Sequence, residues 1–544
     1  MAPQQKHVIK SPYPDVAIPD VDFASFILSE SRVARSKDKP ALIDGPTGAV
    51  ITHGELARQS IALANGLYQL GLAPGDVIAI YSPNHIEYAL ALLAAMRIGV
   101  IVTTANPTYT AEELVFQLTD SRARLLITIP DVLANAEIAV KQCPLVRHVY
   151  LFGSLGAGGR APLRTLHRYS LDFPRSPMFR PTDTAVICYS SGTTGRPKGV
   201  ELTHRNLVSN IVCMHAQDVP YLRPSEVFLG VLPMFHCYCL VVVLFYSLWL
   251  DSAIVVMPRF DLSHMLSHIE RYKVSWLHIV PPIVIGLAKS PLVEGRDLSS
   301  VRIVFSGAAP LGADVEEAAR KRLPAQVVVK QGYGMTELSP LSHVNPSGKV
   351  RGGTIGVLIP NEEALIVDPD TGAPLPPGSE GELWVRGPNV MKGYLNNAAA
   401  TAATIVSGEG WLRTGDIARV DADGYFSITD RLKELIKYKG LQVAPAELEA
   451  VLLTHPGVAD AAVIPVPDVD AGELPRAYVV LKQAGGKAEE DKAAKDIAAF
   501  VEKKVAPHKK LRGGVVVIKE IPKSASGKIL RRVLRDSAVN KSKL

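Results

Sequence analysis

The sequence predicts an α/β protein: a large N-terminal domain with mostly parallel sheets and a β-rich subdomain, followed by a small α/β C-terminal domain. Three observations predict it. Helix and strand patterns alternate from about residue 50 onward, as crossover connections in parallel sheets require. Short strands separated by Pro and Gly turns fill 353–387. A second, smaller alternation begins after Asp430 in a chain of 544 residues, too long for one hydrophobic core.

The elements follow in order. Thr52-His-Gly-Glu55 is a capping box before an amphipathic run to Leu70, and Gly71 stops it. Asp76 to Ser82 predicts a buried strand, Asn84 to Ile98 a helix and Ile101 to Thr104 a strand. Thr110-Ala-Glu-Glu113 starts another capped helix, and Leu125 to Ile129 continues the sheet. Further strands are expected at Ala185 to Tyr189, Ala253 to Met257, Trp276 to Val280, Arg302 to Ser306 and Gln326 to Lys330. The β-rich stretch supplies Leu358 to Pro360, Ala364 to Val367 and Gly381 to Arg386. The last unit holds a helix from Pro445 to Thr454, strands Ala461 to Val466 and Tyr478 to Lys482, a charged helix from Glu489 to Val505 and a strand from Val515 to Lys519. The domain boundary falls near Arg431 to Lys433.

Apolar residues make up 47% and charged residues 21%, the balance of a soluble globular enzyme, which excludes a disordered or fibrous chain. The net charge is +6, with Lys and Arg scattered except around Lys503 to Arg512 and Lys523 to Arg535; this fits phosphate-bearing small ligands better than nucleic acid. The five cysteines, Cys143, Cys188, Cys213, Cys237 and Cys239, form neither a CxxC pair nor a disulfide framework. Cys237 and Cys239 read as small buried hydrophobes.

Met1 to Asp15 has no apolar core of a secretory signal, so an intracellular protein is expected. Cys237 to Leu250, broken by Ser247, is too short to span a bilayer and predicts a core helix. Ser542-Lys543-Leu544 has the form of a peroxisomal address, so a peroxisomal location and a peroxisomal import receptor as partner are expected.

The segment most specific for chemistry is Tyr189-Ser190-Ser191-Gly192-Thr193-Thr194-Gly195-Arg196-Pro197-Lys198-Gly199, which follows a strand. Glycines let backbone N–H groups approach an anion, hydroxyls add donors and Lys198 adds charge. It reads as a phosphate cradle, yet it is not a P-loop, because Gly-x-x-x-x-Gly-Lys-Ser/Thr is absent from the sequence.

This segment resembles the signature of the adenylate-forming superfamily of acyl-CoA synthetases, 4-coumarate:CoA ligases and beetle luciferases. The resemblance extends, in the family's order, through Leu232-Pro-Met-Phe-His236, Ser306-Gly-Ala-Ala309 and Gln331-Gly-Tyr-Gly-Met-Thr-Glu337. It continues in Gly381-Glu-Leu-Trp-Val-Arg-Gly387, Trp411-Leu-Arg-Thr-Gly-Asp416, Asp430-Arg-Leu-Lys433-Glu-Leu-Ile-Lys437-Tyr-Lys439-Gly440 and Pro522-Lys-Ser-Ala-Ser-Gly-Lys528. It implies that ATP, with Mg²⁺, activates a carboxylic acid as an acyl-AMP, whose acyl group passes to coenzyme A. The chemistry explains the residue set: a carboxylate is already a nucleophile at pH 7, so cations and oriented donors, rather than a general base, are needed to bring two anions together.

Each role follows from the resemblance. Thr193 and Glu337 would hold Mg²⁺. Ser190, Ser191, Gly192, Thr193, Thr194 and Lys198 would cradle the β- and γ-phosphates, and Thr336 would donate to the α-phosphate. Gly307 to Ala309 and Tyr333 match the adenine slot, with Gln331 and Gly332 as further ATP or AMP contacts; Asp416, with Arg431 nearby, matches the ribose acceptor, and Lys437 and Gln442 match other adenylate contacts. His236 would orient the acyl carboxylate, with Tyr238, Ala308, Gly332, Gly334, Pro340 and Leu341 lining an acyl slot; packing alone is the other reading of those slot positions. Lys528 would bridge carboxylate and α-phosphate. Thiolation would follow a rotation of a mobile C-terminal domain (434–544) on the N-terminal AMP-binding domain (1–430) about a hinge at 431–433, with Lys433 as its catalytic pivot. Arg259, Lys439 and Gly440 match coenzyme A contacts.

Other readings within the superfamily are a luciferase-type oxygenase, a carrier-protein-loading ligase and an acyl-AMP ligase that does not use coenzyme A. A nucleotide-binding scaffold without catalysis would be expected to lose Lys198, Glu337, Asp416, Arg431 and Lys528, and all five are present. The sequence departs from the plant 4-coumarate:CoA ligase pattern at Ile187-Cys188 and Arg196, and at Leu383-Trp384-Val385 within the Gly381 to Gly387 motif. The acid is therefore open between 4-coumarate and a broader aromatic or medium-chain set.

Overall fold

The computed structural model describes residues 7–169, 179–190, 197–223, 225–432, 434–439, 441–468, 471–483, 485–524 and 527–541, without the side chains of 442 and 538–541. Both expected capping boxes are formed: Thr52 with Glu55 starts the helix His53–Gln69, and Thr110 with Glu113 starts Ala111–Asp120. Each box satisfies amide donors that a helix start leaves open. Gly71, at φ +88°, takes the left-handed turn just beyond the first helix.

A seven-stranded sheet runs in the order Gly393–Tyr394, Lys198–Thr203, Thr184–Ser190, Ile101–Ala105, Val77–Tyr81, Ala123–Thr128 and His148–Leu151. The last five strands are parallel, and the first two add antiparallel pairs at one edge. Val77–Tyr81 is buried on both faces. Ile78 and Ile80 enter the main core, while Val77, Ala79 and Tyr81 pack with Leu114 and Leu118 on the opposite side. That burial explains why its sequence is a continuous apolar run rather than an alternation.

A nine-stranded sheet carries the parallel strands Pro40–Asp44, Ala253–Val256, Val227–Gly230, Trp276–Ile279, Ile303–Ser306 and Val328–Gly334. Ligands bind such sheets beyond the carboxyl ends of the strands. Ile279, Ser306 and Gln331 stand in register there, so Gly307 to Ala309 and Gly332 to Tyr333 leave the sheet side by side. The strand expected at Gln326 to Lys330 extends to Gly334, because Gly332–Gly334 pairs antiparallel with Leu341–Val344. Glycines of low strand propensity concealed this extension.

The expected core helix at Cys237 to Leu250 is a π-type helix, Tyr238–Phe245, continued by Tyr246–Trp249. All eight residues of the first part are buried. The β-rich subdomain is larger than 353–387: Glu363–Val367, Glu380–Arg386, Leu412–Val420 and Phe426–Arg431 form one sheet, to which Ile9–Lys10 adds an edge strand.

Beyond Arg431 a separate sheet begins with Ile436–Tyr438 and is built mainly on Val458–Asp468 and Gly472–Leu481. Ala461 and Val463 face the helices Pro445–Leu453 and Lys487–Glu502 through Leu448 and Ile497. Ala462, Ile464 and Val466 face Ile521 and Leu534 on the other side. Leu534 lies on the helix Arg531–Lys541, which the basic composition concealed. No helix among the described residues is long and apolar enough to cross a membrane.

Four basic side chains of Lys503 to Arg512 and Lys523 to Arg535 pair with carboxylates of the C-terminal unit. Lys509 pairs with Glu447 at 2.6 Å, Lys510 with Glu502 and Lys523 with Asp460 at 2.6 Å. Arg531 joins Glu434 at 2.6 Å and Glu449 at 2.8 Å. Neighbouring carboxylates take these charges into the architecture of the C-terminal unit.

Candidate active site

Lys528 comes from the far end of the chain to the carboxyl ends of the large parallel sheet. Its loop is closed by reciprocal bonds: the Lys528 amide donates to Ser524 Oγ at 3.1 Å, and the Ser524 amide donates to the Lys528 carbonyl at 2.8 Å. Gly527, at φ +81°, fits against the large unit so closely that an added Cβ would stand 3.3 Å from Val280 Cγ2. The ammonium lies within electrostatic reach of Arg431, Cys237, Glu337 and Asp416, and burial with the Arg431 charge lowers its pKa.

His236 stands beside it. Its Nδ1 accepts from the Tyr238 amide at 3.2 Å, which makes Nε2 the proton-bearing nitrogen. Burial and the Lys528 charge pull its pKa down to about 3, so the ring is neutral at pH 7 and acts as a hydrogen-bonding group. Cys237 is buried as expected, yet its thiol also donates to Thr336 Oγ1 at 3.4 Å, a contact that the reading as a plain hydrophobe missed.

The polar side is anchored by Glu337 and Asp416, both buried. Glu337 Oε1 accepts from Ser190 Oγ at 3.2 Å and from the Tyr394 hydroxyl at 2.8 Å. Asp416 accepts from the Tyr333 hydroxyl at 2.5 Å and from Arg431 Nε at 3.1 Å. Lys198 lies 4.0 Å from the centroid of the Tyr394 ring. Tyr394 was not among the residues read from the sequence; Lys392-Gly-Tyr394 carries no charge pattern that would have distinguished it from an ordinary strand.

Gln331, read as a nucleotide contact, spends its amide on the scaffold. It accepts from the Leu311 amide at 3.1 Å, donates to the Leu311 carbonyl at 3.0 Å and donates to Glu316 at 3.1 Å. Its side chain therefore fixes the loop after Ser306-Gly-Ala-Ala309. Ala308 in that loop has φ +70°, a strained setting for a residue with a Cβ, and Ala309 beside it is half-buried.

The acyl-slot residues gather. An added Cβ at Gly332 would meet Phe305 Cζ at 2.3 Å, and one at Gly334 the Pro340 carbonyl at 2.0 Å. These glycines are sites of close approach by neighbouring groups. Tyr238 lies over Gly307, where an added Cβ would stand 3.1 Å from its ring, and its hydroxyl donates to the Phe305 carbonyl at 3.3 Å. Phe305 and His278, whose rings lie 5.1 Å apart, both pack against the Tyr238 ring, an aromatic cluster that the sequence reading missed. Leu341 is buried, with its carbonyl held by Asn210 and Asn389.

Other predicted residues lie apart. Lys437 and Lys439 are exposed; Lys439 is 5.9 Å from the Tyr438 ring. Arg259 is exposed and 3.9 Å from Asp131. Ser191, Gly192, Thr193, Thr194, Lys433, Gly440 and Ser542-Lys543-Leu544 lie outside the described residues, as does the side chain of Gln442.

This geometry defines a class of enzyme that brings an anionic acid to a nucleotide between two unequal units. The profile of the AMP-binding enzyme family matches residues 29–395, and that of the AMP-binding enzyme C-terminal domain matches 447–528. The chain is 41% identical to a 4-coumarate–CoA ligase of Pinus taeda over 97% of each chain. Among solved structures it resembles an anthranilate CoA ligase in complex with anthranoyl-AMP, with a TM-score of 0.87 and 26% identity over 97% of this chain and 99% of that one. It also resembles ATP-bound MatB of Rhodopseudomonas palustris, with a TM-score of 0.83 and 29% identity over 95% and 99%. The chain belongs to the AMP-binding enzyme family. It is an ATP-dependent acid–thiol ligase of the adenylate-forming fold.

Proposed function

We propose that this ligase activates 4-coumarate or a related aromatic or medium-chain acid and transfers it to coenzyme A. The observation that carries the reading is the convergence of Lys528 with His236, Thr336, Glu337, Asp416 and Arg431, side chains suited to an acyl phosphate and a ribose. Similarity to 4-coumarate–CoA ligases over nearly the whole chain supports the acid class, and the aromatic cluster of Tyr238, His278 and Phe305 fits a flat substrate.

In this reading neutral His236 orients the acid through Nε2, and Lys528 offsets the repulsion between its carboxylate and the α-phosphate. Asp416, fixed by Tyr333 and Arg431, accepts from the ribose hydroxyls. Magnesium is supplied with ATP and would withdraw charge from the phosphates; a buried carboxylate flanked by a serine hydroxyl suits it, since Mg²⁺ takes one or two carboxylates besides phosphate oxygens. Glu337 and Thr193 would hold it. Rotation of 434–544 about 431–433 would then take Lys528 away and bring Lys439 and Gly440, with Arg259, to coenzyme A.

The test is a panel of acids assayed for AMP release with and without coenzyme A. Aromatic and medium-chain acids should give thioester and AMP in equal amounts. Faster turnover of palmitate than of every other acid overturns the substrate assignment. We also propose that Ser542-Lys543-Leu544 is read by the peroxisomal import receptor; an N-terminally labelled protein left diffuse in cells with normal peroxisomes would exclude it.

A further inference from the structure

Tyr394 is buried and stands where three parts of the site meet. Its strand Gly393–Tyr394 pairs antiparallel with Val200 and Glu201, immediately after Lys198. The flanking chain is bonded to both neighbours: Lys392 and Leu395 amides donate to the Glu201 and Gly199 carbonyls at 3.1 and 2.7 Å, and the Met391 amide donates to the Glu337 carbonyl at 2.9 Å. Thr401 Oγ1 accepts from the Tyr394 amide at 2.9 Å. The backbone around this tyrosine is thus fixed to the strand that bears Lys198 and to the turn that bears Glu337.

The side chain then contacts both charges. Its hydroxyl donates to Glu337 Oε1 at 2.8 Å, and its ring face lies 4.0 Å from the Lys198 ammonium. Among the described residues, both donors to Glu337, Ser190 and Tyr394, meet the same oxygen. That arrangement anchors the carboxylate through Oε1 and leaves Oε2 without a donor among the described residues. A cation over a tyrosine face is held by the ring quadrupole, so the ring fixes the position of the Lys198 ammonium.

We infer that Tyr394 is a positioning residue for adenylation, setting the Glu337 carboxylate through its hydroxyl and the Lys198 ammonium through its ring. The inference rests on the adenylation reading above. It assigns two separable functions to one side chain: Tyr394→Phe removes only the first, and Tyr394→Leu removes both.

ATP binding to the full-length protein is measured by calorimetry with Mg²⁺ and with EDTA, alongside thioester formation from supplied acyl-AMP. Tyr394→Phe should weaken ATP binding about tenfold with Mg²⁺, the effect of one charge-assisted hydrogen bond, and leave binding in EDTA unchanged. Tyr394→Leu should weaken it in both conditions, by about fivefold in EDTA. Thioester formation from acyl-AMP should stay near wild type in both variants, which a tyrosine serving only to pack the fold would not permit. If Tyr394→Leu does not fold, the contrast between Mg²⁺ and EDTA in Tyr394→Phe decides the matter. Wild-type ATP affinity in Tyr394→Phe under both conditions, or equal losses in both half-reactions, overturns the inference. A wild-type protein that forms no adenylate with any acid overturns the ligase reading instead.

Discussion

The Tyr333 hydroxyl and Asp416 Oδ2 meet at 2.5 Å across 83 positions of sequence, which joins the glycine-rich strand end to the β-rich subdomain. Burial and the Asp416 charge raise the Tyr333 pKa, so the phenol stays protonated and donates. Asp416 is thereby held in one orientation, with Arg431 on its other oxygen.

Tyr333→Phe should therefore raise the KM for ATP about tenfold, because the carboxylate loses a hydrogen bond to a charged acceptor. The KM for the acid should change little, since Asp416 is assigned to the ribose. Steady-state kinetics with each substrate varied in turn would check this, and an unchanged KM for ATP would remove Tyr333 from nucleotide recognition.

At Gly332 the site tolerates no side chain without rearrangement. Gly332→Ala places a methyl group 2.3 Å from Phe305 Cζ, an overpacking that costs about 1–3 kcal/mol in well-packed cores. Both a lower melting temperature and slower turnover of aromatic acids are expected. Phe305→Leu in the Gly332→Ala background should recover part of each loss, because a smaller side chain vacates the contested space. Additive losses in the double variant would show that the clash is relieved elsewhere.

Much of this site was legible in the sequence. Glu337, Asp416 and Lys528 stand in motifs whose order resembles the family's, and the structure brings the three side chains together. The capping boxes at Thr52 and Thr110 were legible because their reciprocal bonds span only three residues. What escaped depends on distant neighbours. Tyr394 bonds to Glu337, 57 positions away, and Gln331 binds Leu311 in the loop after the neighbouring strand. The close approach of Phe305 to Gly332 likewise joins residues of two different strands. Local periodicity also missed Arg531–Lys541, whose place in the fold depends on Glu434 and Glu449 receiving Arg531.

The pH dependence of adenylation should be set by Lys528 on its alkaline side. Burial and Arg431 lower its pKa from the ordinary 10.5, so the ammonium that offsets two anions is lost as pH rises through that lowered value. His236 contributes no acid limb above its pKa of about 3. The rate of ATP–pyrophosphate exchange should thus stay level from mildly acidic to neutral pH and fall at alkaline pH. Lys528→Arg, whose guanidinium stays charged throughout, should move that fall upward even where its rate is lower. An alkaline limb at the same pH in both proteins would assign it to another group.

Lys528 and Lys439 should divide the two half-reactions between them. In the structure Lys528 is beside His236, Glu337 and Asp416, whereas Lys439, at φ +48°, is exposed on a turn held by its amide to the Ala471 carbonyl at 2.8 Å. One domain orientation therefore commits Lys528 to the adenylate and keeps Lys439 away from it. Lys528→Ala should slow acyl-AMP formation by about 10²–10³, the usual effect of deleting one preorganised donor. It should leave thioester formation from supplied acyl-AMP near wild type. Lys439→Ala should do the reverse if, as proposed, its turn comes to the acyl carbonyl by a rotation at 431–433. Each half-reaction is measured separately, by pyrophosphate exchange and by thioester formation from acyl-AMP. Equal losses in both steps for both variants would mean that a single arrangement of the two units serves the whole reaction.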